Sequence, residues 1–288
     1  MRARSSIEGT SPRSGAALSG PLVTIITVVL NRAASVGRTI ESVHRQTYAP
    51  IEHIVIDGGS TDGTLEVVRR YAHRLAYWSS APDRGISDAF NKGLAAAGGD
   101  FIGLVNADDW LAPDQIERAV AALQRTGADF VFGDLVYHDP SGRPVHRIKG
   151  DPDYARSIRR GMPAVNHPTM LVRRSVYEAV GGFELHYRYS MDYDWLLRAH
   201  LAGVRGVYEP GLTGHMSLGG AGDAHHLAAR AEGREIAIRH GLPRALAWPL
   251  YLFRIVKGSG RRALERLAPA PLSDRLRRLL NRSYQPHG

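Results

Sequence analysis

Two adjacent carboxylates, Asp108 and Asp109, follow a short apolar run at residues 101–105 that is typical of a buried strand. Like charges side by side repel each other, and no lysine or arginine stands near this pair in the sequence. A divalent cation such as Mg²⁺ or Mn²⁺ would neutralise them, because hard ions prefer carboxylate oxygens. The alternative is a simple turn, since aspartate also ends strands. The pair therefore predicts a metal site of the kind that holds phosphate groups.

A second polar segment, residues 57–64 (Asp-Gly-Gly-Ser-Thr-Asp-Gly-Thr), follows another apolar run. Its glycines would let a ligand approach the backbone, and Asp57 could accept hydrogen bonds from a nucleobase or from ribose hydroxyls. The alternative is a capped helix start, which explains Ser60 to Asp62 but does not require Asp57. The glycine patterns of dinucleotide-binding folds and of P-loops are both missing from the sequence, so neither is indicated.

Two further charged positions stand at predicted helix starts. Arg84 is unfavourable beside the positive end of a helix dipole, and a bound diphosphate would explain it as well as an ion pair with Asp83 or Asp88. Asp192 and Asp194 lie in the first turn of another predicted helix. One of them could serve as a general base, whereas the other need only complement the dipole.

Two histidines have weaker signals. His167 precedes a predicted strand and could line an acceptor site, although a structural histidine in a turn is the alternative. His215 could reach a metal ion but has no partner at metal-binding spacing, so it has the same alternative.

The elements that must position these groups alternate between strand and helix over the first half of the chain. Asn31, Asp57 and the Asp108–Asp109 pair each follow a predicted strand. Parallel strands of a doubly wound α/β sheet present their carboxyl ends at one edge, so these groups should converge there. The predicted strands are residues 22–30, 51–56, 75–78 and 101–105, and the predicted helices are residues 33–46, a helix capped near Ser60 or Thr61, 85–97 and 113–125.

The pattern changes after residue 129. A strand pair is predicted at residues 130–138 and 144–148, followed by a strand at 168–173, a helix from Ser175 and another from about Asp192 to residue 202. From residue 224 the chain reads as helical and basic. We therefore expect a tail at residues 1–20, disordered because it is rich in Ser, Arg and Gly, a main domain at 21–220 and a helical extension at 221–288.

Charge and composition narrow the functional classes. The net charge of +9 arises in residues 230–288, which carry 13 basic and 4 acidic side chains, and such a tail suits an anionic membrane surface or nucleic acid. The chain contains no cysteine, which excludes disulfides and thiolate metal sites and favours a reducing cytosol. Neither a signal peptide nor an apolar run of the roughly 18 residues needed to span a bilayer is present.

The basic extension also contains interleaved apolar residues. Aromatic side chains at headgroup level with cations against acidic lipid would make an interfacial helix. The alternative is a helix packed on the main domain with its basic face in solvent. The apolar residues are Leu246, Trp248, Leu250, Tyr251, Phe253 and Ile255, and the cations are Arg244, Arg254, Lys257, Arg261, Arg262 and Arg266.

Five segments together resemble a known family. They are residues 23–31, 55–64, 82–93, 106–109 and 191–194, in order and at suitable distances. The chain resembles the family-2 inverting glycosyltransferases of the GT-A fold, an α/β fold with a mostly parallel sheet. It is most similar to the branch that builds bacterial exopolysaccharide and lipopolysaccharide. The resemblance covers about residues 21–220.

The resemblance implies a role for each segment. It implies transfer of a sugar from a nucleotide-diphosphate sugar, with a UDP-sugar expected, to a saccharide or lipid-linked saccharide acceptor. It also implies a Mn²⁺ or Mg²⁺ cofactor. The implied nucleotide-sugar contacts are Thr27, Val29, Asn31, Asp57, Arg84 and Asp108; Asp109 would bind the metal together with Asp108, and Asp192 would be the catalytic base.

Three positions depart from the family pattern. Gly58 replaces a frequent aspartate, Met191 a frequent glutamate and Leu30 a frequent tyrosine. Two other functions fit parts of the pattern: a metal-dependent nucleotidyltransferase, and a non-catalytic protein that binds nucleotide sugar or nucleic acid. The first would need a basic, glycine-rich first loop, and here only Arg32 is basic. The tail lacks a zinc-finger or RNA-recognition signature, so we expect no nucleic-acid partner. From the absence of cysteine and the basic C-terminal tail we expect a cytoplasmic protein at the inner face of the membrane.

Overall fold

The computed structural model describes residues 7–10, 20–218, 225–267 and 284–286. The tail predicted at residues 1–20 lies largely outside the described residues. Four of its residues form a strand, β1 (Ile7–Thr10), which pairs antiparallel with β4 and so corrects the prediction of disorder for those four. Most of the basic chain beyond residue 267 also lies outside the described residues.

The described strands form one mixed sheet. Its order is β1-β4-β3-β2-β5-β9-β7-β10-β6, with β8 beside β7 and β11 beside β8. The strands that follow β1 are β2 (Val23–Val29), β3 (Ile51–Asp57), β4 (Tyr77–Ser80), β5 (Phe101–Asn106), β6 (Trp110–Leu111), β7 (Phe130–His138), β8 (Pro144–Ile148), β9 (Leu171–Arg173), β10 (Gly206–Ser217) and β11 (Tyr284–Pro286).

Strand β2 lies at the centre of the parallel part of the sheet. It pairs in parallel with β3 and with β5, and β3 pairs in parallel with β4. The register sets Val29 opposite Asp57 and Val28 opposite Asn106. The three strands therefore end nearly level, and the polar residues that follow them emerge at the same edge. This confirms the predicted convergence.

Nine α-helices are described. Their bounds lie close to those predicted for the first half of the chain; helix α2 starts later than expected because the Oδ1 of Asp62 accepts a hydrogen bond from the backbone of Thr64. The helices are α1 (Val36–His44), α2 (Thr64–Tyr71), α3 (Ile86–Ala96), α4 (Gln115–Thr126), α5 (Tyr154–Ser157), α6 (Arg174–Val180), α7 (Met191–Leu201), α8 (His226–Arg239) and α9 (Arg244–Leu267).

Both faces of the sheet are covered by apolar side chains. On one face Ile26 of β2 packs with Phe90 of α3 and Trp195 of α7. On the other face Ile25 packs with helices α1 and α4 through residues such as Leu123. All seven residues of β2 are buried, as expected for a parallel strand covered on two faces.

Two features of the sheet were not specified by the sequence prediction. Strand β9 runs antiparallel to both of its neighbours, β5 and β7. The long strand β10 was not predicted at all; it pairs in parallel with β7 and is interrupted by an irregularity between Tyr208 and Thr213. Strand β10 pairs with the edge strand β6, where His215 lies opposite Trp110. This end of the sheet is therefore next to the predicted metal site.

The C-terminal helices pack on the main domain, and helix α9 exposes an apolar face. Ala247 is buried and Arg254 is half-buried, with its guanidinium directly against Gly161. On the outer side Phe253 is 63% exposed and Val256 is 70% exposed, and Leu246, Trp248 and Leu252 are also exposed. The outer side of the helix over residues 246–256 thus exposes several large apolar side chains. No helix in the described part of the chain combines the length and the hydropathy needed to cross a bilayer.

Candidate active site

The loops that follow β2 and β3 are joined by hydrogen bonds at the carboxyl edge of the sheet. The Oδ1 of Asn31 accepts a hydrogen bond of 2.9 Å from the backbone of Thr61, and the backbone of Asn31 donates one of 2.8 Å to Ser60 Oγ. Asn31 has a left-handed backbone (φ 52°), which asparagine tolerates better than most residues. The structure therefore brings Asn31 and the Asp57 loop together.

The carboxylate of Asp57 is occupied within its own loop. It is 1% exposed and accepts hydrogen bonds from the backbone and hydroxyl of Ser60 and from the hydroxyl of Ser80. A Cβ at the neighbouring Gly58 would meet the carboxylate of Asp83, which would have to shift to make room. An aspartate at this position would therefore stand against the carboxylate of Asp83.

Thr27 and Val29 lie in the core. Thr27 is 0% exposed and its hydroxyl lies 3.0 Å from Nε2 of the buried His53, and Val29 is 4% exposed. Burial leaves these two side chains little surface with which to meet a ligand. The contact of Thr27 and Val29 with a nucleobase stays a prediction, and it would have to be made by their backbone groups.

Arg84 has a local partner. Its guanidinium lies 2.9 Å from the carboxylate of Asp88, which also pairs with Lys92 at 3.3 Å. The hydrogen bond from Arg84 is the main reason that the pKa of Asp88 lies below its usual value. The arginine side chain is 73% exposed. The local ion pair, one of the two explanations from sequence, is present, and most of the guanidinium stays accessible to an anion.

Asp109 is a buried acid with one unpartnered oxygen. The residue is 0% exposed; its Oδ2 accepts a hydrogen bond of 3.1 Å from Asn106, whereas Oδ1 has no partner. Burial first, and the charge of Asp108 second, raise the pKa of Asp109 to about 8. A buried carboxylate that lacks a partner is costly, so this oxygen calls for a cation or a proton.

Two arginines that are distant in sequence approach the acid pair in space. Arg32 Nε lies 3.4 Å from the partly exposed carboxylate of Asp108. Arg38 donates a hydrogen bond of 3.3 Å to the backbone oxygen of Asp108 and stacks over Trp110, with its Cζ 3.7 Å from the ring centre. No basic residue is close to the pair in the sequence, but two arginines are close to it in the folded chain.

The donors present fit a hard divalent cation in part. Asp108 and Asp109 offer adjacent carboxylates, and the unpartnered Oδ1 of Asp109 is the kind of atom that such an ion would satisfy. No group of three acidic, histidine or cysteine side chains suited to a metal occurs among the described residues. Any remaining ligands would come from solvent or from the phosphates of a substrate, as is usual for Mg²⁺.

The two acids of helix α7 have different environments. Asp194 is 1% exposed and is held by Arg198 at 2.8 Å and by His240 at 3.0 Å. The only side-chain hydrogen bond described for Asp192 is the one that its Oδ1 accepts from the backbone of Tyr193 at 2.8 Å. Burial raises the pKa of Asp192, and a nearby His167 opposes that rise. Asp192 therefore has fewer described partners than Asp194, and its role as a base stays a prediction.

His167 lies beside the carboxylate of Asp192. Burial lowers the pKa of His167, while the charge of Asp192 acts to raise it. Its ring packs edge-on against Phe90 of α3 at 5.6 Å, and its Nε2 has no hydrogen-bond partner. Both interpretations of His167, an acceptor-site residue and a structural histidine, stay predictions. His215 instead pairs with His138 at 3.0 Å and stacks on Trp110.

Several residues of the site carry no local signal in the sequence. Arg32 and Arg38 reach Asp108 across about 70 residues. Glu232 and His240 reach the start of α7 from helix α8 and its C-terminus. Sequence periodicity does not report such contacts, because each depends on how the helices pack on the sheet.

The family comparison matches a large part of the chain. The model described as glycosyl transferase family 2 matches residues 24–181, so Asp192 lies outside the matched range. An uncharacterized glycosyltransferase of Mycobacterium tuberculosis is 35% identical over 190 residues, which are 64% of this chain and 70% of that protein.

Solved structures share the fold. S. aureus TarS has a TM-score of 0.59 at 18% identity, and the match covers 81% of this chain but only 43% of TarS. A TarS fragment of residues 1–349 in complex with UDP-GlcNAc has the same TM-score and identity, and the match covers 80% and 70% of the two chains. The mannosyltransferase PcManGT from Pyrobaculum calidifontis, in complex with GDP-Man and Mn²⁺, has a TM-score of 0.58 at 20% identity over 89% and 78%. These likenesses establish a GT-A-like α/β fold.

Proposed function

The chain belongs to glycosyl transferase family 2, and we propose that it moves a sugar from a nucleotide-diphosphate sugar to a hydroxyl acceptor with inversion at the anomeric carbon. The observation that supports this most strongly is the buried, unpartnered Oδ1 of Asp109 beside Asp108, at the edge where the parallel strands end. The role would be in the synthesis of a cell-surface polysaccharide or glycolipid.

The donor would bind across the ends of β2, β3 and β5. Asn31 and the loop that Asp57 holds in place would border the base, Asp108 would border the ribose, and the exposed guanidinium of Arg84 would meet the diphosphate. TarS with UDP-GlcNAc and PcManGT with GDP-Man share this fold, which supports a nucleotide sugar as the ligand class. We propose a UDP-sugar.

Asp108 and Asp109 would hold a Mn²⁺ or Mg²⁺ ion. PcManGT, which shares the fold, was solved with Mn²⁺. When bound, such an ion would supply positive charge that stabilises the departing diphosphate. The nearby guanidiniums of Arg32 and Arg38 add to the positive potential on the same side.

The chemical step would depend on Asp192. Its carboxylate accepts the proton of an acceptor hydroxyl while that oxygen attacks the anomeric carbon from the face opposite the diphosphate, and the carbon–oxygen bond to the nucleotide diphosphate breaks. The raised pKa of Asp192 makes it a stronger base than an exposed aspartate, provided that it is ionised at the working pH.

The acceptor would be presented at a membrane surface. Helix α9 turns the apolar side chains of Trp248, Leu252 and Phe253 outward, on a segment whose sequence continues into a strongly basic tail. An apolar helix face flanked by cations matches an anionic lipid surface. We propose peripheral binding at the cytoplasmic face of the membrane, which favours a lipid-linked saccharide as acceptor.

Release of nucleotide diphosphate tests the proposed activity. The protein is incubated with a panel of UDP-, TDP- and GDP-sugars with Mn²⁺ or Mg²⁺, with and without saccharide acceptors. We expect release with at least one donor, and Asp192→Asn should lower it by roughly 10²–10⁴ while nucleotide binding is retained. Donor binding without any turnover would instead identify a non-catalytic nucleotide-sugar protein.

A further inference from the structure

The segment that leads into helix α7 is held by a carboxylate from another part of the chain. Glu232 of α8 accepts hydrogen bonds from three consecutive backbone amides, those of Arg188 at 3.0 Å, Tyr189 at 2.8 Å and Ser190 at 2.9 Å. Hydrogen bonds to a charged acceptor are about twice as strong as neutral ones. One side chain therefore fixes the backbone immediately before the helix that carries Asp192.

Helix α7 depends on this contact because it has no side-chain cap of its own. Ser190 occupies the position before the helix, but its hydroxyl donates to the backbone oxygen of Ala229 on α8 at 2.9 Å rather than to an amide of α7. The free amides at a helix start need partners, and here the partners of the preceding amides come from Glu232.

A second contact joins the same two regions one turn further along. His240, at the end of α8, lies 3.0 Å from Oδ1 of Asp194. The first turn of α7 is thus held on both sides of Asp192, by Glu232 before it and by His240 after it. A base must be placed within hydrogen-bond reach of the proton that it removes, so small displacements of this turn matter for turnover.

We propose that Glu232 is a positioning residue that fixes Asp192 for proton transfer from the acceptor. This inference rests on the function proposed above. Since Glu232 lies on α8, the inference gives a C-terminal helix a part in the chemical step. That helix lies outside the range that matches the family model.

The test compares Glu232→Gln with Glu235→Gln, an equal change of charge at an exposed position of the same helix. Glutamine offers only one acceptor oxygen, so it is unable to hold all three amides. We expect kcat for transfer to fall by about tenfold or more in Glu232→Gln with little change in the KM for donor, and to stay within twofold of the parent in Glu235→Gln. If Glu232 served only for folding, its replacement would lower the amount of folded protein, and kcat of the folded protein would not fall.

Hydrogen exchange supplies a readout that does not need turnover. Exchange of a peptide covering residues 188–195 should accelerate at least tenfold in Glu232→Gln and remain unchanged in Glu235→Gln. If Glu232→Gln does not fold, Ser190→Ala removes the bond from the Ser190 hydroxyl to the backbone oxygen of Ala229, which joins the same segment to α8, and should lower kcat in the same direction by a smaller factor.

The outcomes are distinct. Unchanged exchange in Glu232→Gln overturns the proposed contact. Faster exchange with normal kcat overturns the positioning role, as does an equal loss of kcat in both glutamine variants. If the parent protein turns over no nucleotide sugar, the proposed function fails and the positioning role fails with it, although the exchange result still reports whether the contact forms.

Discussion

Asp109→Asn should stabilise the metal-free protein, and by more as the pH rises. The folded chain raises the pKa of Asp109 to about 8 from an ordinary value of 3.8. Since the folded-state value lies above the unfolded one, the unfolded chain loses its proton first, and stability is lost between about pH 4 and pH 8. At pH 7 the folded chain still holds this proton and the unfolded chain does not. At about 1.4 kcal/mol per pH unit, this difference lowers the free energy of unfolding by about 4 kcal/mol at pH 7 relative to pH 4 or below.

The assay is urea unfolding with EDTA at pH 5, 6, 7 and 8. The gap in unfolding free energy between Asp109→Asn and the parent should widen by about 3 kcal/mol from pH 5 to pH 7. Asp153→Asn removes an exposed aspartate and is the matched control, for which we expect no such trend. Mn²⁺ should stabilise the parent but not Asp109→Asn. A gap that stays flat across this range would refute the reasoning that Asp109 is an uncompensated buried acid.

Three further changes test other parts of the site. His167→Asn removes the group whose charge opposes the rise in the pKa of Asp192, so the acidic limb of the kcat–pH profile should move to higher pH; an unmoved limb contradicts the pairing. Gly58→Asp sets a second carboxylate against Asp83 and should lower unfolding free energy by about 1–3 kcal/mol in urea titrations, whereas an unchanged midpoint would contradict the contact. Phe253→Ser should weaken sedimentation with anionic vesicles severalfold without affecting turnover of a soluble acceptor; equal binding would argue against the helix face as the contact.

The strands of the parallel core were predictable because they are continuous apolar runs. Residues 23–29 are apolar or threonine throughout, and a buried parallel strand requires that pattern. Strand β10 was missed because its sequence contains Pro210 and three interior or terminal glycines, which normally argue against a strand. Pro210 and Gly211 lie in the irregularity between Tyr208 and Thr213, where the pairing with β7 is interrupted, so the strand tolerates them.

The site was predictable only where the chemistry is local. Asp108 and Asp109 are adjacent carboxylates that repel each other, and this is visible in the sequence alone. The structure buries Asp109 in the interior. The partners of these acids are not local: Arg32 and Arg38 come from the loop and helix after β2. Thr27 is buried because β2 lies at the centre of the sheet. The order of the strands is not specified by the sequence of any single segment.

The bonds from Glu232 to the amides before α7 limit how far the protein can be shortened. A chain truncated at residue 220, the boundary suggested by sequence, would keep Asp108, Asp109 and Asp192 yet leave the amides of Arg188, Tyr189 and Ser190 without Glu232 as their acceptor. Excised fragments intended for crystallisation or for domain transplantation should therefore extend through α8. The range that matches the family model ends before α8, whereas the backbone that leads into α7 is held by Glu232 of that helix.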